Sequence, residues 1–481
     1  MDTHPENHTG KPHLFALLRQ LPFVPAMDAF LTSNRFLLLL GLLTVLSNAL
    51  NLEFFVYTVF VLIGLYISFF GRDYLPLIPM VICCYIAPYI SNNPGAYEDS
   101  IFYMGHGGEY ILVLGGLFAL SVVLRLALDP QIGQRAFFTA KRKLLPGFLA
   151  LGGAYVLAGA FSGHYFDHGL GNLVFAVTQF AAIAALYYIM AGAVCWENAP
   201  KHYLSKVGLM LGLALVAEIF VMYVITDPFA SGELDRNALF TGWGNYNCMG
   251  GLLTMMIPFA FYMAAEQKRS WIYTLCGIAM LGGVVLSCSR TSIVIAVVIY
   301  GASLLLLCIK SKNRWSCLGI NGGLAAVVMG YLLIFHFELV MSYLDIFTIT
   351  RSIFSRFDGF AAGIEQFLKY PVFGGSFYPV DYPLEEWSTV ENFTSFFPGL
   401  WHNTVIQMLA SCGIVGMAAY SYHRIQTIRL VWKKHSIENL FAGLSLAAML
   451  MMSLFDCHIY NIGPAMFYSM ALAYMEKHPQ E

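Results

Sequence analysis

The chain of 481 residues is 58% apolar and 11% charged, and its formal net charge at neutral pH is −2. Soluble domains carry roughly 25% charged residues, so this composition argues strongly against a soluble multidomain enzyme. The net charge says nothing about a nucleic-acid partner, but the sequence has no basic block, so we expect no such partner. Apolar runs of about 20 residues recur along almost the whole length, which predicts an all-α, polytopic transmembrane helical bundle.

The predicted elements begin with a cytoplasmic segment, residues 1–34, in which residues 13–31 have the character of an interfacial helix. This segment lacks a short apolar core followed by a cleavage site, so we expect no removed signal peptide. A bundle of about 12–14 spans follows. The candidate spans lie near residues 35–49, 54–70, 74–91, 108–127, 144–160, 171–193, 207–226, 245–264, 271–287, 290–309, 316–336, 402–422, 438–455 and 461–475.

The distribution of basic residues predicts the orientation. Of the 26 lysines and arginines, 21 fall in or near the loops on one side of the predicted bundle, among them Arg125 and Arg424. Loops rich in Lys and Arg stay in the cytoplasm, so we expect both termini to be cytoplasmic. The preference of basic residues for cytoplasmic loops does not explain the five on the outer side, which are Arg236, Arg290, Arg351, Arg356 and Lys369.

The largest loop, residues 337–401, lies on the outer side. Apolar residues recur there at steps of three and four, which predicts an amphipathic surface helix over 353–370 that Pro371 ends. Gly374-Gly375 predicts a tight turn, and an acidic stretch with Trp387 follows. The chain then divides into the N-terminal segment 1–34, membrane helices 35–240, a region 241–422 that includes the outer loop, and C-terminal helices with a short cytoplasmic tail, 423–481.

Two other features bear on chemistry. The ten cysteines lie mostly inside apolar runs without metal-ligand spacing, so we expect core residues, no metal site and no cofactor.

Glu218 stands in the middle of the seventh span, where it either pairs with another span or marks a proton path.

Two polar stretches on the outer side come from span ends. In GWGNYNCMGG, residues 242–251, Asn245 and Asn247 either orient a sugar or phosphate, or cap a helix beside closely packed glycines. In SCSRT, Ser289 and Arg290 occupy a hairpin tip. The arginine there either snorkels to the interface or binds a phosphate through two parallel hydrogen bonds.

Two further stretches flank the outer loop. Arg351 and Arg356 stand at the start of the surface helix, whose N-terminus favours anions, so they bind either a phosphate or anionic lipid headgroups. His402 and Asn403 stand where the loop enters a span. A lone histidine is usually structural, but a histidine at the mouth of the same outer cavity as the arginines can take a proton from a hydroxyl.

In their order and spacing these motifs resemble the O-antigen ligase and O-antigen polymerase superfamily of integral membrane glycosyltransferases. The pattern comprises a GNxN span start, an SR[TG] tip, an arginine fifteen residues before a proline turn, and an HN span start followed by glycines. It is matched here by Gly244–Asn247, Ser289–Thr291, Arg356 with Pro371 to Gly374, and His402-Asn403 with Gly413 and Gly416. The resemblance covers about residues 240–420. Where many relatives have Pro, Trp and Glu, this chain has Tyr246, Phe360 and Ser411.

The resemblance implies transfer of a glycan from undecaprenyl pyrophosphate to an acceptor hydroxyl, on the outer face of the cytoplasmic membrane and without a metal. The acceptor is a glycan, a lipid or a cell-wall polymer, and membrane lipids surround the protein. In this scheme arginines hold the pyrophosphate and a histidine deprotonates the acceptor. The implied catalytic residues are His402, Arg290 and Arg356, and the implied substrate-binding residues are Arg351, Asn245, Asn247, Asn403 and Ser289.

Two questions stay open at this level. Polymerase and ligase activities are not distinguished by these motifs. A transporter or flippase of lipid-linked saccharides is the alternative class, and it predicts polar residues and broken helices near the membrane midplane. The key polar residues gather at one face, which favours an enzyme, and Glu218 is the exception.

Overall fold

The computed structural model describes residues 14–87, 107–139, 141–163, 165, 171–226, 239, 241–335, 351–377, 401–433 and 436–477. These residues contain nineteen α-helices, two π-helical segments and two short 3-10 turns. The α-helices are α1 Leu14–Leu18, α2 Val24–Leu31, α3 Asn34–Ala49, α4 Glu53–Phe69, α5 Leu77–Ile86, α6 Gly107–Leu128, α7 Pro130–Gln134, α8 Leu145–Val156, α9 Gly171–Phe180, α10 Leu186–Ala193, α11 Tyr203–Thr226, α12 Tyr246–Glu266, α13 Ser270–Leu286, α14 Arg290–Lys310, α15 Arg314–Phe335, α16 Arg351–Lys369, α17 Thr404–Lys433, α18 Ile437–Met452 and α19 Ile462–Lys477. The π-helical segments are Arg135–Thr139 and Ala181–Ala185, and the 3-10 turns are Trp196–Asn198 and His458–Tyr460.

The predicted class, an all-α polytopic bundle, is confirmed. Each predicted span coincides with a helix or, for 171–193, with the continuous run of α9, a π-helical segment and α10. Six described helices are long and apolar enough to cross a membrane, and α2 with α3, bent by 67°, makes a seventh if the pair is one span. Further apolar helices of 10–17 residues complete the bundle. The chain is therefore a multi-pass helical membrane protein.

Helix α12 forms the centre of the bundle. Every residue from Met249 to Ala264 is buried, as expected for a helix that is apolar all round. Helices α11, α13, α14 and α18 pack against it. Helix α19 is similarly enclosed, with Gly463 to Glu476 buried, whereas α15 has few buried residues. Six cysteines are buried, in agreement with the expected core role: Cys83, Cys84, Cys288, Cys317, Cys412 and Cys457.

Two predicted turns are present. Helices α3 and α4 are separate and join through residues 50–52, where the sequence has its only break in a long apolar run. Helix α13 ends at Leu286 and α14 begins at Arg290, so Arg290 follows a hairpin of three residues. Cys288 in this hairpin has a φ of 57°, which turns the chain sharply.

One predicted boundary is wrong. The span expected to end at residue 422 continues as α17 to Lys433, so Arg424 lies within a helix and not in a loop. Its guanidinium is buried and has partners there. Nη1 donates to the Tyr468 hydroxyl at 2.9 Å, and the group lies 4.6 Å from the centre of the Tyr420 ring. Arg125 is also fully buried and pairs with Asp129 one helical turn later, at 2.7 Å.

The outer loop contains the predicted amphipathic helix, observed as α16. Phe357, Ile364 and Leu368 are exposed along one face of this helix, while Gly363 packs against Trp401. An exposed apolar stripe on a polar helix is suited to the membrane surface. The expectations for Trp387 and its acidic neighbours, for Arg236, and for the side chain of Arg351 lie outside the described residues.

Candidate functional site

The loop between α18 and α19, residues 453–457, accepts hydrogen bonds from two of the predicted site residues. The Asn403 side-chain amide donates to the Leu454 carbonyl oxygen at 2.8 Å. Arg356 Nη1 donates to the Phe455 carbonyl oxygen at 3.4 Å. Main-chain carbonyls of successive residues thus join the start of α17 to the surface helix α16.

The same loop supplies a carboxylate to the predicted base. His402 Nδ1 lies 3.4 Å from Asp456 Oδ1. The His402 side chain is 42% exposed, whereas that of Asp456 is only 13% exposed. The carboxylate therefore faces one edge of the imidazole while the ring remains accessible from solvent. His402 has a φ of 52°, which lies in the left-handed region that few residues other than glycine adopt.

Asp456 is ionised at neutral pH. Burial alone would raise the pKa of its carboxyl group, but the hydrogen bond with His402, the nearby imidazoles of His458 and His402, and the Cys457 N–H hold this pKa below its usual range. The Cys457 N–H donates to Asp456 Oδ1 at 2.7 Å and fixes the carboxylate in place. A charged, oriented carboxylate favours the His402 tautomer with hydrogen on Nδ1, which leaves the lone pair on Nε2.

Three of the predicted site residues cap helices. Asn245 accepts from the N–H groups of residues 247 and 248 at the start of α12. Asn403 accepts from those of residues 405 and 406 at the start of α17. Ser289 accepts from the Ser292 N–H at the start of α14. The capping interpretation of Asn245 is therefore realised, and the motif residues mark helix N-termini.

The GNxN and SRT motifs meet through one hydrogen bond. Ser289 Oγ donates to Asn247 Oδ1 at 2.8 Å, and Ser292 Oγ donates to Ser289 Oγ at 2.7 Å. Arg290, the first residue of α14, is half-buried directly beside this contact. Asn247 thus fixes the residue that precedes Arg290, although the two motifs are more than forty positions apart.

Helix α12 connects the two halves of the site through its glycines. A Cβ at Gly250 would lie 2.5 Å from Ser292 Oγ, so this glycine lets α14 approach. A Cβ at Gly251 would lie 2.5 Å from Cε1 of His458, which follows the 453–457 loop. The first turn of α12 therefore packs between the Arg290 hairpin on one side and the segment carrying Asp456 on the other.

The electrostatics of this region suit an anion. Helices α12, α14 and α17 all begin within the contact network, and each directs the positive end of its macrodipole there. Arg290 and Arg356 add two guanidinium groups, which bind phosphate oxygens through paired hydrogen bonds. Among the residues that the structure describes, no cluster of three or more His, Cys, Asp or Glu could hold a metal ion.

The proline turn and the glycine of the last motif form one interlocked structure, here called the latch, comprising residues 371–376 and the break in α17 at Gly413. Gly413 has φ 63° and ψ −156°, which interrupts the helix. The N–H groups of residues 414 and 415 then donate to the carbonyls of residues 371 and 372. In return, Gly375 and Ser376 donate to the carbonyls of residues 410 and 411.

The latch satisfies the main-chain groups that the helix break releases, as membrane proteins require. It also holds the end of α16 against α17, because Gly374 touches the backbone of Ser411 too closely for any Cβ. Arg356 on α16 and His402 at the start of α17 are thereby kept in a fixed relation. The motif glycines are thus explained by backbone geometry.

We expect Gly413→Ala to destabilise the protein by about 3 kcal/mol or more, because its backbone conformation is almost restricted to glycine and a Cβ would collide with the Val372 carbonyl. Thermal unfolding in detergent measures this loss. Gly301→Ala is the matched control, since a Cβ there meets no atom within 4 Å. That control should be neutral or stabilising by up to about 1 kcal/mol. Equal unfolding temperatures for the two variants would contradict the role assigned to the latch.

Sequence reasoning missed Asp456 and the 453–457 loop. The stretch SLFDCHIY looks like an ordinary connection between two spans, and it lies outside the motifs of the resemblance. The polar residues Asp456 and His458 at the end of a span were the available signal. Its contact with His402 depends on helix packing and could not be read from spacing.

The fold and the site define a multi-pass helical membrane protein with a histidine–carboxylate pair and two arginines at the start of its helices. Residues 275–421 match the family described as O-antigen ligase. This match covers about a third of the chain and supports the superfamily resemblance predicted from the motifs. No curated protein is detectably similar to the chain. The matched region contains Arg290, Arg356 and His402, whereas the GNxN motif precedes it and Asp456 follows it.

Proposed function

We propose that this protein is a glycosyltransferase of the cytoplasmic membrane that moves a glycan from a polyprenyl-diphosphate donor, undecaprenyl pyrophosphate in bacteria, to an acceptor hydroxyl on the outer face. The observation that carries the proposal is the 453–457 loop, which contacts the candidate base His402 and the candidate phosphate-binding Arg356 together. The match to the O-antigen ligase family over residues 275–421, which include His402 and Arg356, supports a glycan-transferring role.

His402 serves as the general base in this proposal. With hydrogen on Nδ1 directed to Asp456, Nε2 takes the proton from the acceptor hydroxyl. The 3.4 Å separation is long for a hydrogen bond, and such contacts commonly shorten when substrate binds. Asp456 stabilises the imidazolium that forms, so it orients the base and offsets its new charge.

Arg290 and Arg356 stabilise the leaving group. Negative charge grows on the pyrophosphate as the glycosidic bond breaks, and fixed cations at that position lower the barrier. The N-termini of α12 and α14 add favourable dipoles next to Arg290. Arg351, at the first residue of α16, is close along the chain to Arg356 and is assigned a helper role.

The acceptor O–H bond breaks and its proton goes to His402. The oxygen forms a bond to the anomeric carbon on the face opposite the donor phosphate. The carbon–oxygen bond to the pyrophosphate breaks, and its electron pair leaves with the lipid diphosphate. Attack from the opposite face inverts the configuration at the anomeric carbon.

The surface-glycan profile of the producing strain tests this function. We compare a strain lacking the protein with strains that carry the wild type, His402→Asn or Arg314→Ala, the last being a control at the far end of the bundle. Loss of the long-chain ladder with one repeat still attached to the final acceptor means polymerase. Full-length glycan retained on the lipid carrier means ligase. Either pattern, restored by Arg314→Ala but not by His402→Asn, supports the proposal.

An unchanged profile in the deletion strain would overturn the proposal. A changed profile that His402→Asn restores as well as the wild type would favour the transporter alternative. That alternative drew on Glu218, the acid inside a span. Glu218 accepts hydrogen bonds from Asn48 and Trp243, so these contacts within the bundle account for a buried acid at this position. We therefore retain the transporter only as an outcome of this experiment.

A further inference from the structure

Glu218 lies at the centre of a buried hydrogen-bonded cluster that the proposed chemistry does not use. The residue is on α11 and is 0% exposed. Its Oε1 accepts from Asn48 Nδ2 on α3 at 2.9 Å, and its Oε2 accepts from Trp243 Nε1 at 2.7 Å. Both oxygens of its carboxyl group thus accept hydrogen bonds from other parts of the chain.

Trp243 belongs to a tight turn, residues 241–244, that leads into α12. Thr241 and Gly244 exchange main-chain hydrogen bonds of 3.2 and 2.9 Å across this turn. Gly242 packs directly on Asn48, since a Cβ would lie 2.7 Å from Asn48 Nδ2. Glu218 and Asn48 therefore form the surface against which the turn is placed.

The turn determines where α12 begins. Asn245 caps the helix immediately after the turn, and Asn247 in the first helical turn contacts Ser289 at 2.8 Å. Ser289 precedes Arg290, the candidate pyrophosphate ligand. A continuous set of contacts hence runs from Glu218 through Trp243 and the helix start to the Arg290 hairpin.

We infer that Glu218 is a positioning residue for the donor-binding half of the site, acting through Trp243 and the first turn of α12. This inference rests on the proposed function. The role is that of a hydrogen-bond acceptor for Trp243 and requires no transfer of a proton. It concerns binding of the lipid diphosphate, because the hydrogen-bonded contacts that start at Glu218 lead to the residue before Arg290.

The acceptor role makes Glu218→Gln informative. Glutamine can accept from Trp243 with its carbonyl oxygen and donate from its amide to Asn48 Oδ1, which is buried without a partner. Asn48 would present that oxygen by a rotation of its amide. Glu218→Leu has similar bulk but leaves the Trp243 N–H and the Asn48 amide without acceptors, a loss that displaces the turn.

The experiment measures donor and acceptor KM in purified full-length protein, with lipid-linked glycan extracted from the deletion strain as donor. We expect Glu218→Leu to raise donor KM about tenfold or more and to change acceptor KM by less than about twofold, while Glu218→Gln stays within about threefold of wild type. We also expect faster hydrogen–deuterium exchange of the 241–249 amides in Glu218→Leu than in Glu218→Gln. This second readout needs no activity.

Glu438→Leu is the matched control. Glu438 is a buried acid that accepts from Ser205 Oγ at 2.6 Å and from Tyr474 OH at 2.7 Å, at the other end of α18 from the site. It should lower thermal stability without changing donor KM. A donor KM that rises equally in both Leu variants would mean that Glu218 contributes only to the overall stability of the protein, and it would overturn the inference.

Two further results would also overturn it. A wild-type donor KM and unchanged exchange in Glu218→Leu would mean that the turn does not depend on Glu218. A Glu218→Gln variant as impaired as Glu218→Leu would mean that the charge itself is required. Arg290→Ala, assayed in parallel, separates the hypotheses: if it loses activity while Glu218→Leu does not, only this inference fails, and if it retains full activity the proposed function fails too.

Discussion

His402→Asn is expected to reduce glycan transfer about 10²–10⁴-fold, because the acceptor hydroxyl loses the base that removes its proton. Asparagine is chosen since it tolerates the positive φ of 52° at this position and cannot take up a proton at neutral pH. Single-turnover transfer by purified protein measures the chemical step. Donor binding, followed separately, should change little because the arginines are intact.

His202→Asn is a closely matched control. His202 is also a histidine at positive φ, 61°, and its Nδ1 contacts the Tyr262 hydroxyl at 2.6 Å near the start of α11. The same substitution there should leave transfer within about twofold of wild type, as for sites away from the chemistry. If both histidine variants transferred glycan at the wild-type rate, His402 would not be the base.

Asp456→Asn tests the partner of the base. The variant removes the charge that orients and stabilises the imidazolium, so transfer should fall by about tenfold or more, but less than in His402→Asn. Because the pKa of Asp456 lies below its usual range, the wild-type carboxylate is charged at every pH above about 4, and the defect should persist through the whole assay range. Its contribution to stability is present above that pH and disappears as the pH falls through the lowered pKa.

Arg290→Ala should reduce transfer about 10²–10³-fold, since the growing charge on the pyrophosphate loses a fixed cation. Arg290→Lys should be intermediate, because lysine retains the charge but not the two parallel hydrogen bonds. The rate of lipid diphosphate release is the measurement, with donor concentration varied. Arg356→Ala should affect the same step.

Arg314→Ala provides the control for charge and position. Arg314 is the first residue of α15, as Arg290 is the first residue of α14, but it lies at the opposite end of the α14 span. Its guanidinium is 5.6 Å from the Trp315 ring and exposed, and we expect its removal to leave transfer unchanged. Comparable losses in the two variants would point to a general effect of removing membrane-flanking arginines.

The positions of the helices could be predicted because each depends on local pattern. A run of about 20 apolar residues must form a helix in a membrane, whatever its neighbours, since no other structure satisfies its main-chain groups. The surface helix α16 followed from the spacing of its apolar residues and from Pro371. The helix start at residue 246 followed from a capping residue, Asn245, next to an apolar run.

The end of α17 could not be predicted in this way. Arg424 and His423 looked like the polar end of a span, yet Tyr468 on α19 provides a buried hydroxyl partner for both. A charged residue inside a helix is tolerated only where another element supplies such a partner. Residues 423 to 433 therefore continue the helix because of packing that is absent from the local sequence.

The amino-acid pattern alone predicted the class of protein, the approximate bounds of its apolar helices, the resemblance to the superfamily, and several of the polar residues that stand at helix starts. The contacts between these residues became visible in the folded chain: Asp456 lies beside His402, Trp243 donates to Glu218, and the 371–376 turn pairs with the break at Gly413. The physical reason is that apolar patterns act within a single helix. The site, in contrast, is held by hydrogen bonds between distant helices, many of them to main-chain carbonyls that every residue carries and no sequence motif distinguishes.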